Sequence, residues 1–310
     1  LKILFLGTAE FARPSLEALL HSSSELLGVV TQPDRPRGRG QKWIPSPVKS
    51  LALQSRISVY QPEKIRDPSF LKMLQALHPD LMVVVAYGQI LSPEVLSIPP
   101  RGCVNVHASL LPKYRGAAPI VRAILSGDTR TGVTTMFMDP GMDTGPILMT
   151  EETEIGDEDT AGILHDRLSR MGAGLLLRTL EGLEKNILAP RPQNHSQATY
   201  APKIEREEAR INWNDPAPEL FNLIRAFDPW PGAYTLWSGR FLKLFHPRLV
   251  EEKSGEAPGT VVQASAEGLR IATGYGVLLI REIQPESRPR MSVAEFLNGY
   301  PLQKGTQLGD

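Results

Sequence analysis

The sequence has one cysteine, Cys103, in 310 residues, which excludes an internal disulfide framework and any metal site built on several thiolates. That usage fits a reducing compartment. No apolar run approaches the roughly 18 residues of a membrane helix, so no membrane span is expected, and no membrane is counted among the partners. Net charge is lacking too, with 34 Lys and Arg against 34 Asp and Glu. No global field draws in a polyanion, and any nucleic-acid contact needs a local basic cluster. The first strand is followed by "GTAEFA" and not by Gly-x-Gly-x-x-Gly, so the dinucleotide fingerprint is missing. No Gly-x-Ser-x-Gly elbow surrounds Ser109, which argues against a serine nucleophile. Cys103 and His107 stand four residues apart in one strand, about 13 Å, too far for a thiol to imidazole hydrogen bond. The remaining histidines are scattered without metal-ligand spacing, and no metal is expected. Neither a basic leader nor a small-residue cleavage site accompanies "LKILFL", which reads as a first strand.

What is present suggests two domains, since a domain commonly holds about 100–200 residues. Apolar runs at 2–6, 26–30, 81–86, 103–107 and 132–138 alternate with helical patterns near 11–20, 46–55, 69–77, 118–126 and 160–184. The alternation predicts an α/β domain, a doubly wound Rossmann-like parallel sheet, over 1–186. The stretch 187–205, "ILAPRPQNHSQATYAPKIE", reads as a linker. Over 206–310 a short helix near 216–226 precedes five short strands, which predicts a small barrel or sandwich, an OB-like β-barrel being one candidate of the right size. Alone, "DPWPGAY" reads as a rigid turn with a packed Trp230.

Ligands of open parallel sheets bind outside the carboxyl ends of the strands. In the first half every unusual polar stretch falls on that rim: Gly7-Thr8, "TQPDRPRGRG", Tyr87-Gly88, His107 to Gly116, and "DPGMDTG" at 139–145. Asn105 and His107 share one face of their strand, with Cα atoms about 6.6 Å apart. An amide donor beside an imidazole suits an oxyanion. Asp143, in a Gly-flanked loop, can orient the imidazole, pair with it or relay a proton. This combination points to acyl-type transfer through a tetrahedral intermediate. Taken singly, each residue reads as one that satisfies loop backbone. Three at one rim read as a site.

"NVHASLLPKYRGAAP" followed by "DPGMDTG" resembles the folate-dependent formyltransferases, whose signature joins Asn-x-His, Ser-Leu-Leu-Pro, an aromatic-Arg-Gly and a later Asp in a Gly-rich loop. The resemblance implies 10-formyltetrahydrofolate as donor cosubstrate, with Asn105 and His107 on the oxyanion and Asp143 managing the proton. It places the folate on loops around 85–90, 109–112 and 138–143, through Val85, Tyr87, Gly88, Ser109, Leu110, Leu111, Pro112, Asp139 and Gly141. The acceptor is selected elsewhere. The stretch 31–49 carries Arg35, Arg37, Arg39, Lys42 and Lys49 against one acid, Asp34, and its Pro and Gly content predicts no regular structure before about Ser46. A solvated loop is the plain alternative. "TQPDRPxGRG" resembles the loop of the family members that formylate methionyl-initiator tRNA, implying tRNA contacts by Arg35, Arg37, Arg39 and Lys42. "EEARINW" (207–213) and "RAFDPWPGAY" (225–234) resemble the second domain of the same members. Residues 206–310 hold 12 Lys and Arg against 13 Asp and Glu, so a tRNA contact there rests on the resemblance alone. A monomer in a bacterial cytoplasm is implied, with a mitochondrial or plastid matrix as the alternative location. The rival readings are formylation of an amino sugar and a catalytically silent tRNA-binding protein.

Overall fold

Short runs rich in Val, Leu and Ile build the strands, because such residues bury on both faces of a covered sheet. The computed structural model describes residues 1–37, 42–252 and 254–309, with Arg37 and Lys42 by backbone alone. The chain makes, in order, β1 (Lys2–Gly7), β2 (Glu25–Val30), β3 (Arg35–Arg37), β4 (Lys42–Ile44), β5 (Val59–Tyr60), β6 (Leu81–Val85), β7 (Cys103–His107), β8 (Arg115–Gly116), β9 (Arg130–Phe137), β10 (Ile147–Glu154) and β11 (Tyr200–Ala201). It continues with β12 (Tyr234–Trp237), β13 (Arg240–Val250), β14 (Val261–Ser265), β15 (Gly268–Ala272), β16 (Val277–Pro285) and β17 (Met291–Ser292).

Two compact units result. The first comprises Leu1–Pro119, Arg130–Glu154 and His165–Ala201, and the second Ile120–Thr129, Ile155–Leu164 and Pro202–Asp310.

The first unit is organised by a seven-stranded sheet in the order β10-β9-β7-β6-β1-β2-β5. β1 pairs in parallel with β2 and β6, and β6 with β7. All five residues of β6, "LMVVV", are buried, each contributing roughly 1.5–3 kcal/mol of apolar transfer. The helix Pro47–Gln54 starts where Ser46 accepts from the Lys49 N–H and Pro47 occupies the first turn.

The all-parallel expectation needs correcting at one edge, where β9 runs antiparallel to β7 and β10 antiparallel to β9. β10 was not foreseen, because only one of its faces is covered. Its "TEETE" alternates half-buried with exposed positions and has no apolar run to announce it. A second correction concerns 31–49: β3 and β4 pair in antiparallel register, Arg35 with Ile44 and Pro36 with Trp43. An isolated two-stranded ribbon has only edge strands, and edge strands tolerate proline.

In the second unit an antiparallel sheet runs β12-β13-β16-β15-β14, with β17 on β16. Its edges are joined through the end of the chain. Val261 N–H donates to Thr306 O, Leu308 N–H to Gly259 O, and Gly309 N–H to Leu236 O. That closure gives the barrel. The helix Ala217–Ala226 buries Leu220, Phe221 and Ile224. Trp230 is 56% exposed, so the packed-Trp expectation fails: the neighbouring Phe227 and Ala233 are buried instead.

Candidate active site

β6 and β7 end side by side on the first unit's rim, and their ends carry the polar residues. Asn105 lies between Val84 and Met136, and His107 opposite Thr134. Strand alternation puts both on one face. His107 is buried, and Asn105 is half-buried, with no side-chain hydrogen bond to another described residue.

The imidazole is held from two sides. Nε2 stands 2.9 Å from the Tyr114 carbonyl, which only accepts, so that nitrogen carries the hydrogen. Nδ1 faces Asp143 Oδ1 at 3.8 Å. The other oxygen of Asp143 accepts from the Gly116 N–H at 2.8 Å. Tyr114 and Asp143 both adopt left-handed backbone, φ +63° and +52°, which is uncommon for a tyrosine. Gly116 is required by space and by its φ of +114°: an added Cβ would lie 2.8 Å from Ala201 O.

The other expected site residues divide. Val85 and Tyr87 are buried, Tyr87 inside a cluster with Leu4, Leu6, Met82 and Val84. Its hydroxyl has no partner among the described residues and burial pushes its pKa up, so the side chain belongs to the core. Its carbonyl accepts from Thr8 Oγ1 at 2.8 Å and thereby ties the ends of β1 and β6 together. Exposed in that loop are Ala86, Gly88 and Ile90, the last 89% exposed. Ser109 is buried and its Oγ donates to Lys113 O, while Leu111 packs with Met136 and Ile147. Leu110 and Pro112 are half-buried, and the Leu111–Pro112 peptide is cis. Thr134 Oγ1 donates to Ser109 O at 2.7 Å and accepts from Leu111 N–H at 3.2 Å, fixing this loop on β9. Asp139 accepts from Gly141 N–H and Thr144 Oγ1 and closes the turn that contains Asp143. Burial raises the Cys103 thiol to about 12, which suits a core residue.

Among the basic residues, Arg35 is exposed on β3. Arg37 and Lys42 pair through their backbones, and Arg39 lies outside the described residues. Lys49 pairs with Asp34 at 2.6 Å, and that hydrogen bond holds the Asp34 carboxyl below its ordinary range. Beside the ribbon is a cleft of about 510 Å³ lined by Pro33, Asp34, Arg35, Pro36, Trp43, Gln61 and Glu63. Sequence reasoning missed Gln193, Thr134 and the Tyr114 carbonyl. The only hint at Gln193 was its place among polar residues that read as a linker.

The rim, the amide-imidazole pair and the carboxylate accompany a matching family. The chain belongs to the formyl transferase family: residues 1–180 match "Formyl transferase" and residues 203–301 match "Formyl transferase, C-terminal domain". Over all 310 residues it is 47% identical to the methionyl-tRNA formyltransferase of Alkaliphilus oremlandii, covering 100% of both chains. Its identity with the methionyl-tRNA formyltransferase of Moorella thermoacetica is 48%, over 100% of this chain and 99% of the other. Among solved structures, WlaRD, a sugar 3N-formyl transferase crystallised in the presence of dTDP and 5-N-formyl-THF, superposes with a TM-score of 0.69. That match, at 21% identity over 93% of this chain and 99% of the other, is one of fold. Among the described residues no helix is long and apolar enough to cross a membrane.

Proposed function

We propose that this chain transfers the formyl group of 10-formyltetrahydrofolate to the α-amine of methionyl-initiator tRNA, as a monomer in a bacterial cytoplasm. The observation that carries the chemistry is the Asn105 amide, free of hydrogen bonds to other described residues, beside an imidazole that faces a carboxylate. The acceptor rests on relatives of that name matching over the full chain.

The rim suits a folate. Exposed Ala86, Gly88 and Ile90 offer backbone and apolar surface to a flat ring, and a Cβ added at Gly88 would meet only Gln32 Nε2, 3.7 Å away. The donor supplies an activated formyl carbon: its carbon–nitrogen bond breaks, a bond to the acceptor amine forms, and one proton passes between the two nitrogens. Asn105 donates its amide N–H to the oxygen on which charge develops. His107, anchored through Nε2 on Tyr114, adds charge to that stabilisation when its Nδ1 is protonated. Asp143 receives the surplus amine proton and returns it to the released nitrogen. An α-amine has a pKa near 7.7–8.0, so a useful neutral fraction attacks at physiological pH without a covalent enzyme intermediate. Arg35, with Arg37, Arg39 and Lys42, meets tRNA phosphates.

Supplying 10-formyltetrahydrofolate with methionyl-initiator tRNA, and in parallel with the same tRNA uncharged, tests this directly. Formyl label is expected on the charged tRNA alone, with transfer weakening steeply as salt rises. Transfer to a nucleotide-linked amino sugar but not to the tRNA overturns the acceptor. Binding of tRNA without transfer overturns the reaction.

A further inference from the structure

Two residues of one short segment, Tyr114 and Gly116, each meet one member of the His107–Asp143 pair. Tyr114 O accepts from His107 Nε2, and Gly116 N–H donates to Asp143 Oδ2. Arg115 between them turns inward and is 2% exposed. Its guanidinium meets no carboxylate among the described residues. Nε and Nη2 donate to Gln193 Oε1 at 3.1 and 2.7 Å, and Nη2 also meets His195 Nδ1 at 3.2 Å. Gln193 is 6% exposed and spends its other end on the loop that carries Asp143. Its Nε2 donates to Asp143 O and to Gly145 O, both at 2.8 Å. The strand pair β8–β11 ties the two segments together, Tyr200 opposite Arg115 and Ala201 opposite Gly116.

We infer that Gln193 is a positioning residue for the formyl transfer, setting where the Asp143 carboxylate stands against His107. This rests on the function proposed above. The amide suits the task because it joins a donor and an acceptor in one rigid plane. Its acceptor is locked by two N–H groups of a buried arginine. Its donor therefore points in one direction, onto the carbonyls on either side of Thr144. Asp143 is thus fixed from behind by its own carbonyl and in front by Gly116. A catalytic group gains its effect only when held within a fraction of an ångström.

The substitution that isolates this role is Gln193→Glu. A carboxylate still satisfies Arg115, so the buried cation is not orphaned, but it donates nothing to the two carbonyls. The variant is expected to fold, to lose about 10–100-fold in kcat, and to keep KM for both substrates within about threefold. In an Asp143→Asn background the same change is expected to cost little more, because its effect passes through Asp143. Amide exchange gives a readout independent of activity: the Gly116 N–H, which Asp143 accepts, should exchange faster while β6 and β7 keep their protection. An unchanged kcat, fully additive losses in the cycle, or unaltered Gly116 exchange would each overturn the inference. If the unsubstituted chain formylates no tRNA, the function fails, and the Gly116 exchange still decides whether Gln193 holds Asp143.

Discussion

Asp143 Oδ1 stands 3.8 Å from His107 Nδ1 while Oδ2 of the same carboxylate accepts from the Gly116 N–H at 2.8 Å. One oxygen is structural and the other faces the imidazole. Asp143→Asn keeps an acceptor for Gly116 and removes the charge and the proton acceptor. Turnover should fall by about 10²–10⁴, with folate affinity within a few-fold of the unsubstituted protein. Steady-state kinetics beside equilibrium folate titration separates the two. Equal loss of both would mark the carboxylate as a binding group.

Asn105 makes the sharper case for transition-state stabilisation, because its side chain supports no other described residue. Asn105→Ala should leave stability within about 0.5 kcal/mol and cost about 2.7–4 kcal/mol of transition-state stabilisation, or 10²–10³ in kcat. Near-normal turnover in the variant would remove the oxyanion assignment.

What was legible follows from period and rim. Asn105 and His107 share a face by alternation alone, and the loops at 86–90 and 139–145 follow strands whose apolar runs announce them. What was hidden depends on long-range polar contacts, which leave no period. Gln193 reaches Asp143 across 50 residues and Arg115 across 78. Arg115, among the largest fully buried side chains of the described residues, stands in the sequence only as the arginine of the aromatic-Arg-Gly signature, with nothing to announce its burial. The Tyr114 carbonyl that fixes the imidazole depends on a left-handed tyrosine, which no residue preference foretells. Tyr87 shows the opposite case: a polar residue at a rim position whose ring packs in the core and whose carbonyl meets Thr8 Oγ1.

Thr134 gives a stability prediction at the same site. Its buried hydroxyl serves both Ser109 O and Leu111 N–H. Thr134→Val conserves shape and leaves two buried backbone groups unpaired, a cost of about 1–3 kcal/mol. Denaturant titration should show the midpoint falling without a change of slope. KM for the folate should rise, since the loosened residues are 109–111. A fall in midpoint with kinetics untouched would show that the folate does not use this loop.

Asp34 and Lys49 predict a pH dependence whose sign is fixed by the direction of the shift. The hydrogen bond from Lys49 lowers the Asp34 pKa, and Gln61 assists. A carboxyl whose folded pKa lies below its unfolded value of about 3.9 stabilises the protein above that pH. The contribution is lost as pH falls through the lower, folded value. Both side chains are partly exposed, at 20% and 25%, so the pair is worth roughly 0.2–1 kcal/mol. Lys49→Met should therefore be less stable by that amount at pH 7 and converge on the unsubstituted protein well below pH 4, as Asp34 protonates in both. Unfolding followed by circular dichroism across this range checks it. A difference that stays constant into acid would assign the loss to the packing of the Lys49 stem and not to the ion pair.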